Sequence, residues 1–350
     1  MTLDNPCWRL ARTPLEGWPT PDDFEWQVEA AAEPLAGQVL CETLYLSLDP
    51  YQWNRRRNGT EAPGDICHGR TVSRVVKSRN KQFEEGDVIF NTLGWQTMGL
   101  TGDQITDFGY MQPRTLDSRH GPYSYALGAL GMLGLTAYAG LIIQCQPKAG
   151  ETVVVSAASG GVGQLVGQLA RIYGARVVGI AGTAEKVNYC IDTLGFDACV
   201  SHQADDFADQ LRAACPDGCD VYFENVGGPV FDAVCGQLNR GSRITLCGMI
   251  AHYGDDMVAS RQRWMARVAP LESSLGVVVH PLFVGDFVGS HQARFLEEMG
   301  EYVGQGRIIY REDRWDGLTQ APEAFSAMLA GRNFGKTLIV VRDENEPRAD

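Results

Sequence analysis

The sequence is short of positive charge: 30 lysines and arginines stand against 43 acidic residues, a formal net charge of −13 at pH 7. That balance gives no general attraction to phosphate backbones or anionic lipid surfaces, which argues against nucleic-acid and membrane partners. The start also lacks the basic segment and apolar run of a secretory signal, since Met1-Thr2-Leu3-Asp4-Asn5-Pro6 brings an early acid and a proline. The expectation is a cytoplasmic protein. No internal repeat or low-complexity tract is visible, and only residues 343–350 read as a frayed polar tail.

Long hydrophobic runs are nearly missing. Residues 125–143 carry no charge and are long enough to raise the question of a membrane span, but Gly128, Gly131, Gly134, Gly140 and Thr136 dilute the stretch and no second candidate accompanies it. A buried pair of helices between domains is the reading taken. Disulfide patterning is missing too. The 10 cysteines are scattered rather than framed, as in a reducing compartment. The closest pair, Cys215-Pro-Asp-Gly-Cys219, has no further ligands at similar spacing, so both are expected as free thiols, solvent-side or half-buried.

What the chain does have is 350 residues with 44% hydrophobic content, enough for two domains with real cores. Residues 1–122 mix short β-branched or aromatic runs with turn signals, such as Gly37-Gln38-Val39-Leu40-Cys41 and Gly86-Asp87-Val88-Ile89-Phe90, and predict a mostly antiparallel β-rich domain. Residues 123–311 change texture to Thr152-Val153-Val154-Val155, Arg176-Val177-Val178-Gly179-Ile180, Asp220-Val221-Tyr222-Phe223 and Ile244-Thr245-Leu246-Cys247, with helical patterns between. Continuous apolar strands separated by helices predict an α/β domain, a Rossmann-type doubly wound parallel sheet covered on both faces. Residues 312–350 carry a helix-like run at 321–330 and a strand at 336–341 that return to the first domain.

After the first of these apolar strands comes Ser156-Ala157-Ala158-Ser159-Gly160-Gly161-Val162-Gly163, opening into a helical pattern at 164–170. Small residues let backbone approach a pyrophosphate, and a helix N-terminus offers free amides and a favourable dipole. Tight turns and close helix packing also produce glycine triplets; the strand before and helix after point to a dinucleotide. The segment Gly179-Ile180-Ala181-Gly182-Thr183-Ala184-Glu185-Lys186 places no carboxylate at the end of the second strand for the adenosine ribose, while Thr183 offers a hydroxyl and Lys186 a cation for a 2′-phosphate. NADP(H) is expected over NAD. The plainer alternative is that Lys186 is a solvated first-turn residue.

Taken with their surroundings, these residues resemble the zinc-free medium-chain dehydrogenase/reductases, specifically the leukotriene dehydrogenase, prostaglandin reductase and 2-alkenal double-bond reductase family. The similarity runs over nearly the whole chain. It is carried by Leu44-Tyr45-Leu46-Ser47-Leu48-Asp49-Pro50-Tyr51, Gly134-Leu135-Thr136-Ala137-Tyr138, the phosphate loop, Asp220-Val221-Tyr222-Phe223-Glu224-Asn225-Val226-Gly227-Gly228 and Gly331-Arg332-Asn333-Phe334-Gly335-Lys336. The resemblance implies a GroES-like catalytic domain for residues 1–122 and 312–350 and an NADP-binding domain for 123–311. It implies pyrophosphate contacts from Ser159, Gly160, Gly161, Val162 and Gly163, a 2′-phosphate contact from Lys186, and Asn225 and Cys247 beside the cofactor. Tyr253 is implied at the nicotinamide ribose, and Asn333 closing from the C-terminal segment. His202 stands where the family usually has a tyrosine on the adenosine side, and either helps the phosphate or is merely exposed. Similar proteins are commonly dimers, so a homodimer is expected.

Two departures matter. After Tyr51 the family commonly reads Met then Arg, whereas here stands Gln52-Trp53-Asn54-Arg55-Arg56-Arg57. The basic trio either draws a substrate carboxylate or forms a solvated loop, and Trp53 either lines an apolar pocket or packs within its domain. The metal-dependent branch has a cysteine and a Gly-His-Glu where this chain has Ser47 and His68-Gly69, which leaves no three-ligand zinc site; Cys67 and His68 then read as packing residues.

The activity implied is NADPH-dependent reduction of the carbon–carbon double bond of a small α,β-unsaturated ketone or aldehyde, with hydride added at the β-carbon. Tyr51 and Tyr253 would steady the charge that develops on the carbonyl oxygen. An NADPH quinone reductase and an NADPH-binding protein without turnover are the alternatives.

Overall fold

A computed structural model describes residues 3–14, 16–105 and 111–344; the part of the expected tail beyond Glu344 lies outside the described residues. The chain divides into two compact units, one formed by residues 1–127 with 312–350 and the other by residues 128–311.

In the first unit, β1 (Asp4–Leu10) and β2 (Phe24–Ala30) form an antiparallel ribbon with Trp8 opposite Trp26. The long strand β3 (Gln38–Ser47) leads into α1 (Tyr51–Arg57), where Pro50 starts the helix at a position whose missing amide costs no intrahelical bond. β4 (Thr71–Ser78) pairs antiparallel with β3 and with β5 (Val88–Asn91), while β6 (Met98–Gly102) takes the other side of β3 and β7 (Arg114–Thr115) extends β5. Alternation puts Val39, Cys41, Val75 and Ile89 on one inner face, closed by Phe83 and Leu93.

The uncharged run at 125–143 does not become two helices. It forms a short 3₁₀ turn, Tyr123–Leu127, and α2 (Met132–Tyr138), which continues as a wide π turn over Ala139–Cys145. Glycine is what lets α2 begin so tightly, because a Cβ on Gly134 would lie 1.9 Å from the Ala129 carbonyl oxygen. Among the described residues, no helix is long and apolar enough to cross a membrane.

The second unit is a six-stranded parallel sheet: β8 (Thr152–Ser156), β9 (Arg176–Ala181), β10 (Ala198–Ser201), β11 (Cys219–Glu224), β12 (Leu238–Leu246) and β13 (Val278–Pro281). Helices α3 (Gly163–Ile172), α4 (Ala184–Asn188), α5 (Phe207–Ala214), α6 (Gly228–Cys235), α7 (Met257–Leu275) and α8 (Gly285–Gly304) alternate with the strands. The spatial order β10-β9-β8-β11-β12-β13 reverses direction between β8 and β11. This is the Rossmann arrangement, which binds ligands at the carboxyl ends of the strands at that reversal. Cys215 and Cys219 are not solvent-side or half-buried, as expected from their spacing, but sit in the core with Leu211, Tyr222 and Val230. A protonated thiol behaves as a small hydrophobe, so the core accepts it.

The chain then re-enters the first unit. β14 (Glu312–Asp316) pairs parallel with β15 (Lys336–Val340), β15 lies antiparallel to β3, and α9 (Ala321–Leu329) links them with Phe325 fully buried.

Candidate active site

The phosphate loop leaves β8 through a strained residue. Ala157 adopts φ +50°, a left-handed conformation uncommon outside glycine, and its carbonyl accepts the Gly160 amide at 2.9 Å. A Cβ on Gly163 would fall 2.2 Å from that same carbonyl oxygen, so the first residue of α3 has no room for a side chain. Ser159 is buried, whereas Gly160, Gly161 and Val162 are half-buried. The turn brings backbone to the N-terminus of a ten-residue helix, where the Gln164 and Leu165 amides donate to the Gly160 and Val162 carbonyls at 3.1 and 3.0 Å and the amides of Gly161, Val162 and Gly163 lie ahead of them. These residues fit a pyrophosphate.

At the end of β9, Thr183 caps α4 by accepting the Lys186 amide at 3.4 Å. Lys186 and His202 come to the same edge: a Cβ on Gly182 would meet His202 Nε2 at 3.5 Å, and burial with the Lys186 charge lowers the His202 pKa. Ser201, which the sequence did not single out, donates to the Gly182 carbonyl at 2.6 Å and so ties β10 to this turn. The edge therefore carries an ammonium, a hydroxyl and an imidazole, and no carboxylate ends β9.

Beneath the reversal point lies a second unanticipated residue. Glu224 is fully buried at the end of β11, and its Oε1 accepts from the Val226 amide at 2.7 Å, the Gly227 amide at 2.9 Å and the Tyr222 hydroxyl at 3.0 Å. Burial raises its pKa, and the converging donors oppose that rise. Asn225 follows directly and reaches back to the end of β8, while Cys247 and Gly248 both donate their amides to the Glu224 carbonyl at 3.0 Å. Burial pushes the Cys247 thiol up to about 12, which keeps it protonated. Tyr253 sits in the same turn, its hydroxyl 3.2 Å from where a Gly248 Cβ would be, and burial lifts its pKa to about 12. It is held as a neutral donor. The sequence signal for Glu224 was a charged residue closing an otherwise apolar strand.

In the β-rich unit, Tyr51 is the first residue of α1 and is half-buried. Arg70 Nη1 donates to its phenol oxygen at 2.7 Å, and His68 Nε2 lies 2.8 Å from the same atom. Both partners were outside the expected site; the signal was their i, i+2 spacing in extended chain just before β4, which points both side chains one way. The arginine trio meets neither expectation as a unit. Arg56 is 0% exposed, its guanidinium 4.5 Å from the Trp95 ring centroid, 4.7 Å from Phe325 and 5.4 Å from Phe24, with Glu61 at 3.2 Å from Nε. It is a caged structural cation. Arg55 faces Glu61 as well, at 3.6 Å. Trp53 packs within its unit, donating Nε1–H to the Gly17 carbonyl at 2.9 Å.

Ser47 donates to Asp49 Oδ2 at 2.6 Å, and Lys336 Nζ donates to Asp49 Oδ1 at 2.9 Å and to the Leu48 carbonyl at 2.6 Å. Polar groups at this turn are thus engaged with one another. Among the described residues, no group of three or more His, Cys, Asp or Glu side chains is arranged to hold a metal ion. Asn333 lies in the C-terminal segment of the same unit, where Nδ2 donates to the Gly335 carbonyl at 2.9 Å.

A doubly wound sheet with a glycine-rich loop at its reversal point, in a chain that also carries a β-rich unit, defines a dinucleotide-dependent oxidoreductase. Comparison with known proteins narrows the class. Residues 6–106 match the N-terminal domain of oxidoreductase, and residues 161–277 match the family described as zinc-binding dehydrogenase. The chain is 41% identical over 347 residues to NADPH-dependent curcumin reductase of Escherichia coli, covering 97% of this chain and 98% of that protein. It is 35% identical over 340 residues to 2-alkenal reductase (NADP(+)-dependent) of Nicotiana tabacum, covering 94% and 96%. CurA from Vibrio vulnificus, solved in complex with NADPH, superposes with a TM-score of 0.86 at 38% identity, covering 98% of this chain and 100% of that one. The chain belongs to the zinc-free medium-chain dehydrogenase/reductase family, in the branch of curcumin, prostaglandin and 2-alkenal reductases.

Proposed function

We propose that this NADP-dependent oxidoreductase reduces the carbon–carbon double bond of small α,β-unsaturated ketones or aldehydes. The observation that carries the cofactor choice is the edge at Gly182, where Lys186 and His202 meet and β9 ends without a carboxylate. A 2′-phosphate is matched there by charge-assisted donors, and β9 itself ends without the acid that would take ribose hydroxyls. Ser159, Gly160, Gly161, Val162 and Gly163 hold the pyrophosphate; Thr183, Lys186 and His202 hold the adenosine end; Asn225, Cys247, Tyr253 and Asn333 serve the nicotinamide end. NADPH, when bound, supplies hydride to the β-carbon. Tyr51 and Tyr253 then act as hydroxyl donors to the carbonyl oxygen as charge develops there, which is where preorganised donors lower a barrier most. We also propose a homodimer: β13 is an edge strand of the parallel sheet and presents Val278 at 47% exposure, an open ladder of the kind a second copy covers.

The test follows oxidation of NADPH and NADH against matched enones, enals, quinones and simple ketones. The expected result is preference for NADPH and for enones or enals. Preference for NADH or for simple ketones overturns the proposal, and turnover confined to quinones replaces it with a quinone reductase. Lys186→Ala should raise the KM for NADPH about 10-fold while leaving NADH nearly unchanged, the loss of one charge-assisted contact.

A further inference from the structure

Two side chains of the β-rich unit, Arg70 and His68, converge on one atom, the phenol oxygen of Tyr51. Beyond the contacts at 2.7 Å from Arg70 and 2.8 Å from His68, the Arg70 guanidinium lies over the Tyr51 ring, 5.1 Å from its centroid, and the His68 ring meets it edge-on at 5.7 Å. His68 and Arg70 are 5% and 3% exposed, whereas Tyr51 is half-buried, so Tyr51 is the most exposed of the three residues. Arg55, Arg56 and Arg70 face His68, the Glu61 carboxylate accepts its backbone amide at 3.1 Å, and burial with those three cations holds its pKa well below the usual 6.5. His68 is therefore a neutral ring at working pH. Desolvating a guanidinium and an imidazole is costly, and each of these two directs a nitrogen at the Tyr51 hydroxyl.

We propose that Arg70 and His68 are positioning residues that fix the Tyr51 hydroxyl as the proton donor of the reduction, an inference that rests on Tyr51 serving the active site as proposed above. Once the β-carbon has accepted hydride from NADPH, the π-electron pair resides on the α-carbon and the carbonyl oxygen. The Tyr51 O–H bond breaks, its electron pair stays on the phenol oxygen, and the proton forms a new O–H bond at the carbonyl oxygen; the enol so formed takes a proton from water at the α-carbon and releases its O–H proton to water. Arg70 holds the resulting phenolate with a guanidinium that stays charged at every working pH, and His68 keeps the ring in place. Water returns the proton after the saturated product leaves. Net consumption is one NADPH and one solvent proton per double bond.

The experiment compares Tyr51→Phe, Arg70→Gln, Arg70→Lys, His68→Leu and His68→Gln by kcat and KM with NADPH and 4-phenyl-3-buten-2-one. In parallel, the 13Cζ resonance of Tyr51 is followed in labelled protein and assigned by its loss in Tyr51→Phe. Loss of the proton donor should lower kcat about 100-fold in Tyr51→Phe. Arg70→Gln and His68→Leu should lower kcat about 10-fold or more with KM moved less than about 3-fold, the pattern of an interaction made in the transition state. Arg70→Lys keeps the buried charge and His68→Gln keeps a polar atom near Nε2, so these two should retain more activity and stay folded even where the harsher variants do not. The Tyr51 resonance should shift in both Arg70 variants. A slow Tyr51→Phe together with full kcat and an unmoved resonance in the Arg70 and His68 variants overturns the positioning roles while leaving Tyr51 catalytic. Wild-type kcat in Tyr51→Phe overturns the reading of Tyr51 itself.

Discussion

Ser156 and Asn225 hydrogen-bond to each other twice: the Asn225 amide donates to Ser156 Oγ at 2.9 Å, and Asn225 Nδ2 donates to the Ser156 carbonyl at 2.8 Å. The pair joins the ends of β8 and β11 at the point where the sheet reverses direction. Asn225→Ala keeps the backbone bond and removes the side-chain one, leaving a carbonyl unmet at the mouth of the phosphate loop. The expected outcome is a folded protein that binds NADPH about 10-fold more weakly, close to the value of one buried hydrogen bond. Fluorescence titration measures it, and an unchanged Kd would show that the pair serves the sheet alone.

The loop itself stores strain in Ala157 and none is removable at Gly163. Ala157→Gly relieves a left-handed penalty of about 1–2 kcal/mol, against an entropic cost of glycine of about 0.5–1 kcal/mol. A small rise in Tm is expected without cofactor. Gly163→Ala goes the other way, because its new Cβ meets the Ala157 carbonyl oxygen at 2.2 Å. Displacing that backbone should cost about 1–3 kcal/mol and abolish tight NADPH binding. Thermal melts and titrations on the two variants should move in opposite directions; parallel changes would show that the strain lies elsewhere.

Much of the nucleotide unit is legible in sequence because β8, β9 and β11 carry short apolar runs with a turn behind each, and the phosphate loop falls directly after the first. The uncharged run at 125–143 misleads because composition does not reveal how closely Gly134 approaches Ala129. Glu224 and Arg56 are illegible for a related reason. A lone carboxylate after an apolar strand looks like a turn residue until the amides of Val226 and Gly227 fold back on it. Arg56 looks solvated until Phe24, Trp95 and Phe325, far apart in the chain, assemble around it. Pattern reveals which face an element buries, while polar partners from distant segments emerge only once the chain has closed.

His68 gives the fold a one-sided dependence on pH. Its folded pKa is held well below 6.5, whereas the unfolded chain leaves it near the usual value. Above that value both states are neutral at His68 and stability does not change with pH through this residue. As pH falls below it, the unfolded chain takes a proton that the native state refuses, so stability drops until the folded pKa is reached. Tm should therefore fall from pH 7 to pH 5, and His68→Gln should flatten that slope. Burial also lowers His202 and His280, which act with the same sign, so the difference between wild type and variant isolates His68. Parallel slopes in the two proteins would refute its contribution.

Lys336 and Asp49 bury opposite charges in the turn that precedes Tyr51, at 2% and 3% side-chain exposure. Burial lowers the Lys336 pKa, and the Asp49 charge opposes that fall. Lys336→Met removes one partner and leaves an uncompensated buried carboxylate, which should cost about 3–5 kcal/mol in urea denaturation. Adding Asp49→Asn removes the stranded charge while keeping an acceptor for Ser47, so the double variant should recover most of the loss. The cycle then yields a coupling energy of about 1 kcal/mol or more. Because Lys336 also holds the Leu48 carbonyl, the double variant still loses one tie to the segment carrying Tyr51. Its kcat should stay below that of wild type after stability has been restored. Full stability with full kcat would show that Tyr51 is held by Arg70 and His68 without help from this pair, whereas restored stability with a low kcat would place Lys336 among the supports of the phenol.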